Sequence, residues 1–419
     1  MLAERLTEQL RQCVMYQPKD DGDVVGLPFP YSVPTPGQRF HCLFYWDTYF
    51  TNLGLIETGA VEQAKNNVTD MLCMVERFGF MPNGNMRRYL NRSQPPFLSL
   101  MVKDVYEVFP NQEWLRRAYN ALTREYAFWI KERSLPNGLA HYGGRPEGEW
   151  ISVFSQRWRD RAEAWREESD AVLASCYMTH AESGWDLNPR WNKNAWEFCV
   201  PDLNALLWSL ETNMAYFAQL LQNGEITLWE SRAERRKQIM TEFLWNSTRG
   251  AFMDRNAVTE EFGKVFSMAS LYPLFVGMAE RDQAIKTLEK LSLLEHPHGV
   301  CPCEPHQMPR NYQWDSPNLW PCLQWIAYKA LKNYGYNEDA QRIAQKYVSV
   351  VDINEAKTGQ LWEKYNADTG DCDAKNEYPM PPMLGWSAGV YLKFKKLLTD
   401  PRKEGRMVDD RGRIARLAL

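Results

Sequence analysis

The sequence predicts an all-α protein, an (α/α)6 toroid in which two concentric rings of paired helices form one domain. Three observations carry this. Apolar residues recur at helical spacing along almost the whole chain, alternating runs of β-branched residues are few and short, and the helical stretches come in pairs separated by loops rich in Pro, Gly, Asn and Trp. No repeat of fixed period accompanies them, which argues against a regular solenoid. A two-domain α protein and an irregular helical array are the alternatives this pattern leaves.

Taken in order, residues 1–16, MLAERLTEQLRQCVMY, read as an amphipathic helix, and 1–25 as a segment packing on the toroid. Within 61–79, Val61, Ala64, Val68, Met71, Leu72 and Val75 fall on one face at steps of three and four. Similar spacing recurs near 112–131, 200–222, 227–244, 266–292, 320–350 and 385–398, giving about a dozen helices in a toroid spanning 26–398. The stretch 156–168, QRWRDRAEAWREE, is helix-compatible and highly charged, which suits a solvated helix face; a lid over a pocket is the other reading. Residues 399–419 form a charged tail expected to pack weakly.

Composition narrows the class. The 419 residues are 44% hydrophobic and 24% charged, which fits a globular protein and not a disordered chain. A formal net charge of −4 gives no electrostatic ground for a nucleic-acid or membrane-surface partner. No stretch of about 20 apolar residues occurs, so no membrane span is expected. The 9 cysteines are odd in number and scattered from Cys13 to Cys372, which suits reduced thiols. With an N-terminus lacking the apolar core of a signal peptide, a cytoplasmic location is expected, a mature periplasmic chain being the alternative. A monomer or small homo-oligomer acting on a small molecule fits this profile.

Five long connections, at 26–46, 79–98, 181–194, 297–322 and 361–386, mix Trp, Tyr and Phe with Arg, Asp, Glu, Asn and Gln. Loops of this kind gathered at one end of a rigid scaffold are where binding and catalysis sit. Flat rings stack on the apolar faces of sugars, and aromatics make up 13% of the chain, with 17 Trp and 20 Tyr. Four carboxylates lie among these aromatics: Asp47 in FYWDTYF, Asp186 in ESGWDLNP, Asp315 in QWDSPN and Glu363 in LWEKYN. A carboxyl beside an indole tends toward a raised pKa, as a general acid requires, and glycoside hydrolysis needs such an acid with a second carboxylate. Arg39, Arg92, Arg145 and Arg190 offer forked donors for hydroxyls or partners for the carboxylates.

Other chemistries fit less well. His296, His298, Cys301, Cys303 and His306 crowd into PHGVCPCEPH, but without the spacing of a structural zinc site, so no metal is expected. No Gly-rich phosphate loop or G-x-S-x-G elbow is present, and no cofactor is expected. His41 and Cys42 are adjacent in sequence and so poorly placed to act on each other. Only 6 histidines limit any mechanism built on several of them.

On these residues the chain resembles a known family. PGQRFHCLFYWDTYF (36–50) resembles the first signature of the trehalases, glycoside hydrolase family 37, and QWDSPNLWP (313–321) resembles the second. PNGNMRRYLNRSQPPF, GGRPEGEW, AESGWDLNPRW, LWEKYN and LGWSAGV are similar to trehalase motifs in the same order, so the likeness runs from about residue 30 to 395. The resemblance implies an (α/α)6 toroid and an inverting α-glycosidase with Asp186 as general acid and Glu363 as general base. It places sugar contacts at Arg39, Phe40, Trp46, Asp47, Asn83, Arg92, Gln94, Arg145, Glu147, Gly184, Trp314, Glu377 and Trp386.

Some positions depart from the family pattern. Cys42 stands where the first signature has Glu, Leu319 replaces a small residue, and ADTGDCDAKN replaces the usual Gly-rich loop after the base. The related family 63 shares the toroid and the acid/base pair, and some of its short bacterial members hydrolyse mannosylglycerate or glucosylglycerate. The expected substrate is α,α-trehalose, with glycosylglycerates and short α-glucosides as alternatives. An inactive sugar-binding protein on the same scaffold is a further alternative, and a zinc-dependent cyclase or sugar epimerase fits least.

Overall fold

The computed structural model describes residues 2–35, 40–143, 146–162, 165–306, 312–374 and 380–399. Its α-helices are α1 (Leu2–Gln12), α2 (Tyr45–Glu57), α3 (Val61–Phe78), α4 (Leu98–Val108), α5 (Gln112–Glu132), α6 (Glu149–Arg161), α7 (Asp170–Glu182), α8 (Pro201–Leu221), α9 (Ile226–Leu244), α10 (Tyr272–Phe275), α11 (Arg281–Leu288), α12 (Pro321–Asn333), α13 (Asn337–Thr358) and α14 (Gly385–Thr399). Six close a ring: α2 packs on α4, α4 on α8, α8 on α10, α10 on α12, α12 on α14, and α14 back on α2. Outside it, α1 packs against α14 and α2, α3 against α2 and α4, α5 against α4 and α8, α9 against α8, and α13 against α12 and α14. This is the predicted (α/α)6 toroid.

The two rings differ in sequence for a physical reason. An outer helix turns its apolar stripe to the core: α3 buries Ala64, Val68, Met71, Leu72 and Val75 and exposes Glu62, Glu76 and Arg77. The inner helix α2 is enclosed by its neighbours and buries every residue from Tyr45 to Leu55 except Asp47, which faces a cavity. Such a helix has no polar face for periodicity to reveal, which is why α2 escapes a reading based on stripes. The stretch 266–292 is also less regular than its spacing suggests. It resolves into a 3-10 turn, α10 and α11, interrupted by Pro273 and by Gly277 at φ 77°. The stretch 320–350 breaks into α12 and α13 at Gly335, φ 87°.

The closest approach in the ring brings two walls of the cavity together. Where α2 crosses α14, a Cβ on Gly54 would lie 2.7 Å from Gly389 Cα, and one on Gly389 would lie 2.1 Å from the Phe50 carbonyl oxygen. Only a pair of glycines permits this contact. It holds the first turn of α2, with Trp46 and Asp47, against the first turn of α14, with Trp386.

The helix α6 and its partner α7 add a hairpin with its own apolar cluster, in which Phe154 and Trp158 pack with Leu173, Tyr177 and Trp191. Five two-residue antiparallel ribbons tie the loops. One of them pairs Asn318–Leu319 with Tyr365–Asn366. No helix among the described residues is long and apolar enough to cross a membrane.

Candidate active site

Five loops and two helix N-termini converge on one cavity. Asp186 sits on the turn after α7. This turn is set by a left-handed Gly184 (φ 73°) and a left-handed Leu187 (φ 49°) on either side of Trp185–Asp186. A Cβ on Gly184 would meet the Trp46 ring at 2.8 Å, so the glycine is needed both for its φ and for the indole beside it. Ser183 Oγ accepts from the Trp185 amide at 3.1 Å, and Asn188 Nδ2 donates to the Trp185 carbonyl at 2.7 Å. Beneath the turn, His180 is kept neutral, its pKa lowered to about 3 by burial and by the Arg190 charge. It can therefore accept from the Asn188 amide, 3.3 Å away.

Glu182, the last residue of α7, anchors the neighbouring loops. Its buried carboxylate accepts from the Ser93 amide at 2.8 Å, from Arg133 Nε at 2.9 Å and Arg133 Nη2 at 3.1 Å, and from the Gly143 amide. Burial alone would raise its pKa. The charge and hydrogen bonds of Arg133, with the two amides, overcome that and hold it below the ordinary glutamate value.

Glu363 lies on the loop following α13. The Asn318–Leu319/Tyr365–Asn366 ribbon fixes this loop to the QWDSPN loop, as does the Ala367 amide donating to the Pro317 carbonyl at 2.8 Å. The QWDSPN loop is in turn joined to the acid loop, because the Trp314 amide donates to the Leu187 carbonyl at 3.2 Å. Trp386 Nε1 donates to the Glu363 carbonyl at 3.0 Å. The Glu363 side chain is 4% exposed and its Oε2 accepts from Lys364 Nζ at 3.2 Å. That ammonium is itself buried, 4.6 Å from the centre of the Trp320 ring.

The cavity between these elements encloses about 510 Å³, part of it open to solvent. Asp47, Asp186 and Glu363 line it together with Phe40, Trp46, Gln94, Gly184, Trp314 and Trp386. Trp314 stacks in parallel with Trp320 at 3.8 Å and with Trp185 at 5.5 Å, while Trp46 and Trp386 meet edge to face at 6.1 Å. Asp47 titrates in reach of both other carboxylates. Its pKa is pushed up to about 7, chiefly by burial, with a backbone hydrogen bond opposing and the charges of Glu363 and Asp186 adding to the rise. A carboxyl pair on an aromatic cradle, with a third carboxyl able to hold a proton, is equipped for acid/base chemistry on a hydroxyl-rich ligand.

The expected residues divide into groups. Phe40, Trp46, Asp47, Gln94, Gly184, Asp186, Trp314, Glu363 and Trp386 meet at the cavity. Asn83 and Arg92 are buried near it but do not line it: the Asn83 amide donates to the Arg92 carbonyl at 3.0 Å, and the Arg92 guanidinium lies over the Tyr89 and Phe154 rings at 5.1 and 5.9 Å. Glu147 does not line the cavity. Arg39, Arg145 and Glu377 fall outside the described residues.

Two further candidates serve the scaffold. Arg190 is fully buried between Asp202 and Asp254, at 2.7 Å from each, and Asp315 bonds the Ser316 amide at 2.7 Å with His306 Nε2 2.9 Å away. The PHGVCPCEPH residues disperse: His296 pairs with Asp368 at 2.6 Å, Cys301 and Cys303 are buried, and no cluster of three or more His, Cys, Asp or Glu suited to a metal occurs among the described residues.

Sequence reasoning missed Pro34, Phe44, Gln313, Trp320 and Met383, which also line the cavity. For Phe44, Gln313 and Trp320 the signal was present in the two quoted signatures. The others are ordinary residues singled out only by their place. Arg161 was also missed. It ends α6, in the charged stretch read as a solvated face or a lid, and its Nη2 donates to Asp186 Oδ2 at 3.1 Å.

A family model described as Trehalase matches residues 2–399. A curated protein named periplasmic trehalase, from Salmonella schwarzengrund (strain CVM19633), is 30% identical over 404 residues, covering 90% of this chain and 70% of that one. A putative periplasmic trehalase of Salmonella typhi is 31% identical over the same shares. Among solved structures, neutral trehalase Nth1 from Saccharomyces cerevisiae superposes with TM-score 0.73 at 24% identity, covering 94% of this chain and 79% of that one. The family 63 mannosylglycerate hydrolase from Thermus thermophilus, in complex with Tris and D-glycerate, gives TM-score 0.65 at 17% identity, covering 94% and 100%.

The curated relatives correct the expected location. Both are named periplasmic, which points to the periplasm and overturns the cytoplasmic reading. That reading leaned on unpaired cysteines. All nine are free, and seven of them are buried, so lack of pairing reflects enclosure in the fold and does not discriminate between compartments.

Proposed function

The chain belongs to the trehalase family of glycoside hydrolases, and from that premise we propose that it hydrolyses α,α-trehalose with inversion, Asp186 acting as general acid and Glu363 as general base. The observation that carries this reading is the single cavity in which both carboxylates face a cradle of indoles. One glucose unit lies between the carboxyls. Asp186 gives its proton to the glycosidic oxygen as the bond to the anomeric carbon breaks. Glu363 takes a proton from a water that attacks that carbon from the opposite face. Lys364 fixes the base by its ion pair, and the Trp386 indole fixes the backbone beneath it. Asp47 and Gln94 hold sugar hydroxyls, and Trp46, Trp386 and Phe40 enclose the ring. Arg39, Arg145 and Glu377 complete the sugar contacts in this proposal, while Glu147, which does not line the cavity, drops out of it.

The test is a panel of trehalose, glucosylglycerate, mannosylglycerate, kojibiose and nigerose, with released monosaccharide measured. Trehalose should be the best substrate. Proton NMR at early times should show α- and β-glucose in equal amounts, because the departing glucose keeps its configuration and the attacked one is inverted. Two α-anomers would contradict inversion, and release only from a glycerate glycoside would move the substrate to the family 63 type.

A further inference from the structure

We propose that Arg161, at the end of α6, is a specificity-determining residue on the leaving-group side of the cavity, where it donates to the hydroxyls of the departing sugar. The inference rests on the acid and base roles given above. The acid and the base differ in depth. The Glu363 side chain is 4% exposed, that of Asp186 35% and that of Arg161 21%. The base therefore closes the bottom of the cavity and the acid stands nearer its mouth. Because the acid protonates the oxygen that joins the two halves of the substrate, the half that departs must lie beyond Asp186, away from Glu363. Arg161 is not among the lining residues but stands beside the acid, with Nη2 at 3.1 Å from Asp186 Oδ2.

The guanidinium is held in place by a built wall. Its Nη1 donates to the Tyr177 hydroxyl at 3.1 Å, and its centre lies 5.7 Å from the Tyr177 ring. Tyr177 stacks on Phe154 at 5.3 Å, and Trp158 meets His180 edge to face at 5.2 Å, so α6 is pinned to α7 along the length that leads to Arg161. A rigid forked donor at the acid, supplied by a helix hairpin off the main ring, suits recognition of vicinal hydroxyls on a leaving group. It also gives the first part of the stretch 156–168 a role: Arg161 reaches the acid, while Trp158, with Phe154 one helical turn before it, anchors the helix.

The test compares two substrates that share the glucosyl half. Trehalose has a sugar leaving group, whereas α-D-glucosyl fluoride releases a single ion that fills no sugar subsite and needs little protonation. In Arg161→Met, the ratio of kcat/KM for trehalose to that for the fluoride should fall about tenfold or more, as expected for loss of hydrogen bonds from a charged donor. Arg161→Lys should recover part of the ratio, and Tyr177→Phe should lower it more mildly. An unchanged ratio, whether both activities persist or both fall together, overturns the proposal, since a merely structural role moves the two substrates alike. A wild-type enzyme that hydrolyses neither substrate would instead overturn the glucosidase reading on which the inference rests.

Discussion

Glu182 is where stability and catalysis are most tightly joined. Its carboxylate binds the peptide between Arg92 and Gln94, the peptide at Gly143 and the Arg133 guanidinium, and it stands four residues before Asp186. Glu182→Ala would leave the Arg133 charge, whose side chain is 10% exposed, without its partner and would orphan two buried amides. Breaking a buried ion pair from one side costs about 3–5 kcal/mol. Glu182→Gln keeps the shape and should cost about 1–3 kcal/mol. The assay is urea unfolding of both variants and of Glu182→Leu/Arg133→Met, run beside kcat/KM on trehalose.

The double variant should be less damaged than the sum of its parts, since neither charge is stranded. Activity should fall on the order of 100-fold in Glu182→Gln, because three loops relax by a fraction of an ångström to an ångström around the reacting centre. The sign with pH follows from the depressed pKa. The ionised pair stabilises fully above the ordinary glutamate value and is lost as the pH falls through the lower folded value, so the stabilities of wild type and Glu182→Gln should draw together as the pH falls below the ordinary glutamate value. A Glu182→Ala protein within about 0.5 kcal/mol of wild type would refute the reasoning, because surface substitutions cost that little.

Three further outcomes are expected. Gly184→Ala places a Cβ 2.8 Å from the Trp46 ring at φ 73°, so it should cost about 1–3 kcal/mol in unfolding experiments and lower kcat/KM by displacing the indole. Asp47, with its pKa raised to about 7, stabilises the fold below its unfolded value near 3.8 and loses that contribution as the pH rises through 7. The stability difference between wild type and Asp47→Asn, followed by urea unfolding, should therefore change between about pH 4 and 7, by on the order of 2 kcal/mol once screening by the cavity water is allowed for. Asp186→Asn and Glu363→Gln should each lower kcat on trehalose by on the order of 1,000-fold with unchanged circular dichroism; a folded variant retaining near-wild-type turnover would remove that residue from the mechanism.

Much of the fold is written in local patterns. The stripe of α3 and the pairing of helical stretches suffice to suggest two rings, because an outer helix must turn an apolar face inward and a polar one to water. The inner helix α2 carries no such contrast, so it is visible only once the ring closes around it. At the site, Asp186 and Glu363 stand out in sequence because each carboxyl lies beside an indole in a loop rich in turn residues, and Asp47 because it follows Trp46 in an aromatic run. Asp315 and Arg190 carry the same local signal, yet one bonds its own loop and the other bridges Asp202 and Asp254.

By itself the sequence determined the helical class, the carboxylates set among aromatics and the family likeness, since propensity, period and motif are properties of neighbouring residues. Only the tertiary structure decided which of those carboxylates share a cavity, that Glu182 fastens three loops, and that Arg161 from a charged surface helix reaches Asp186. The reason is physical: burial, charge and hydrogen bonding act through space over a few ångströms, between residues that lie 25 to 177 positions apart in the chain, in the pairs Arg161 with Asp186 and Asp186 with Glu363.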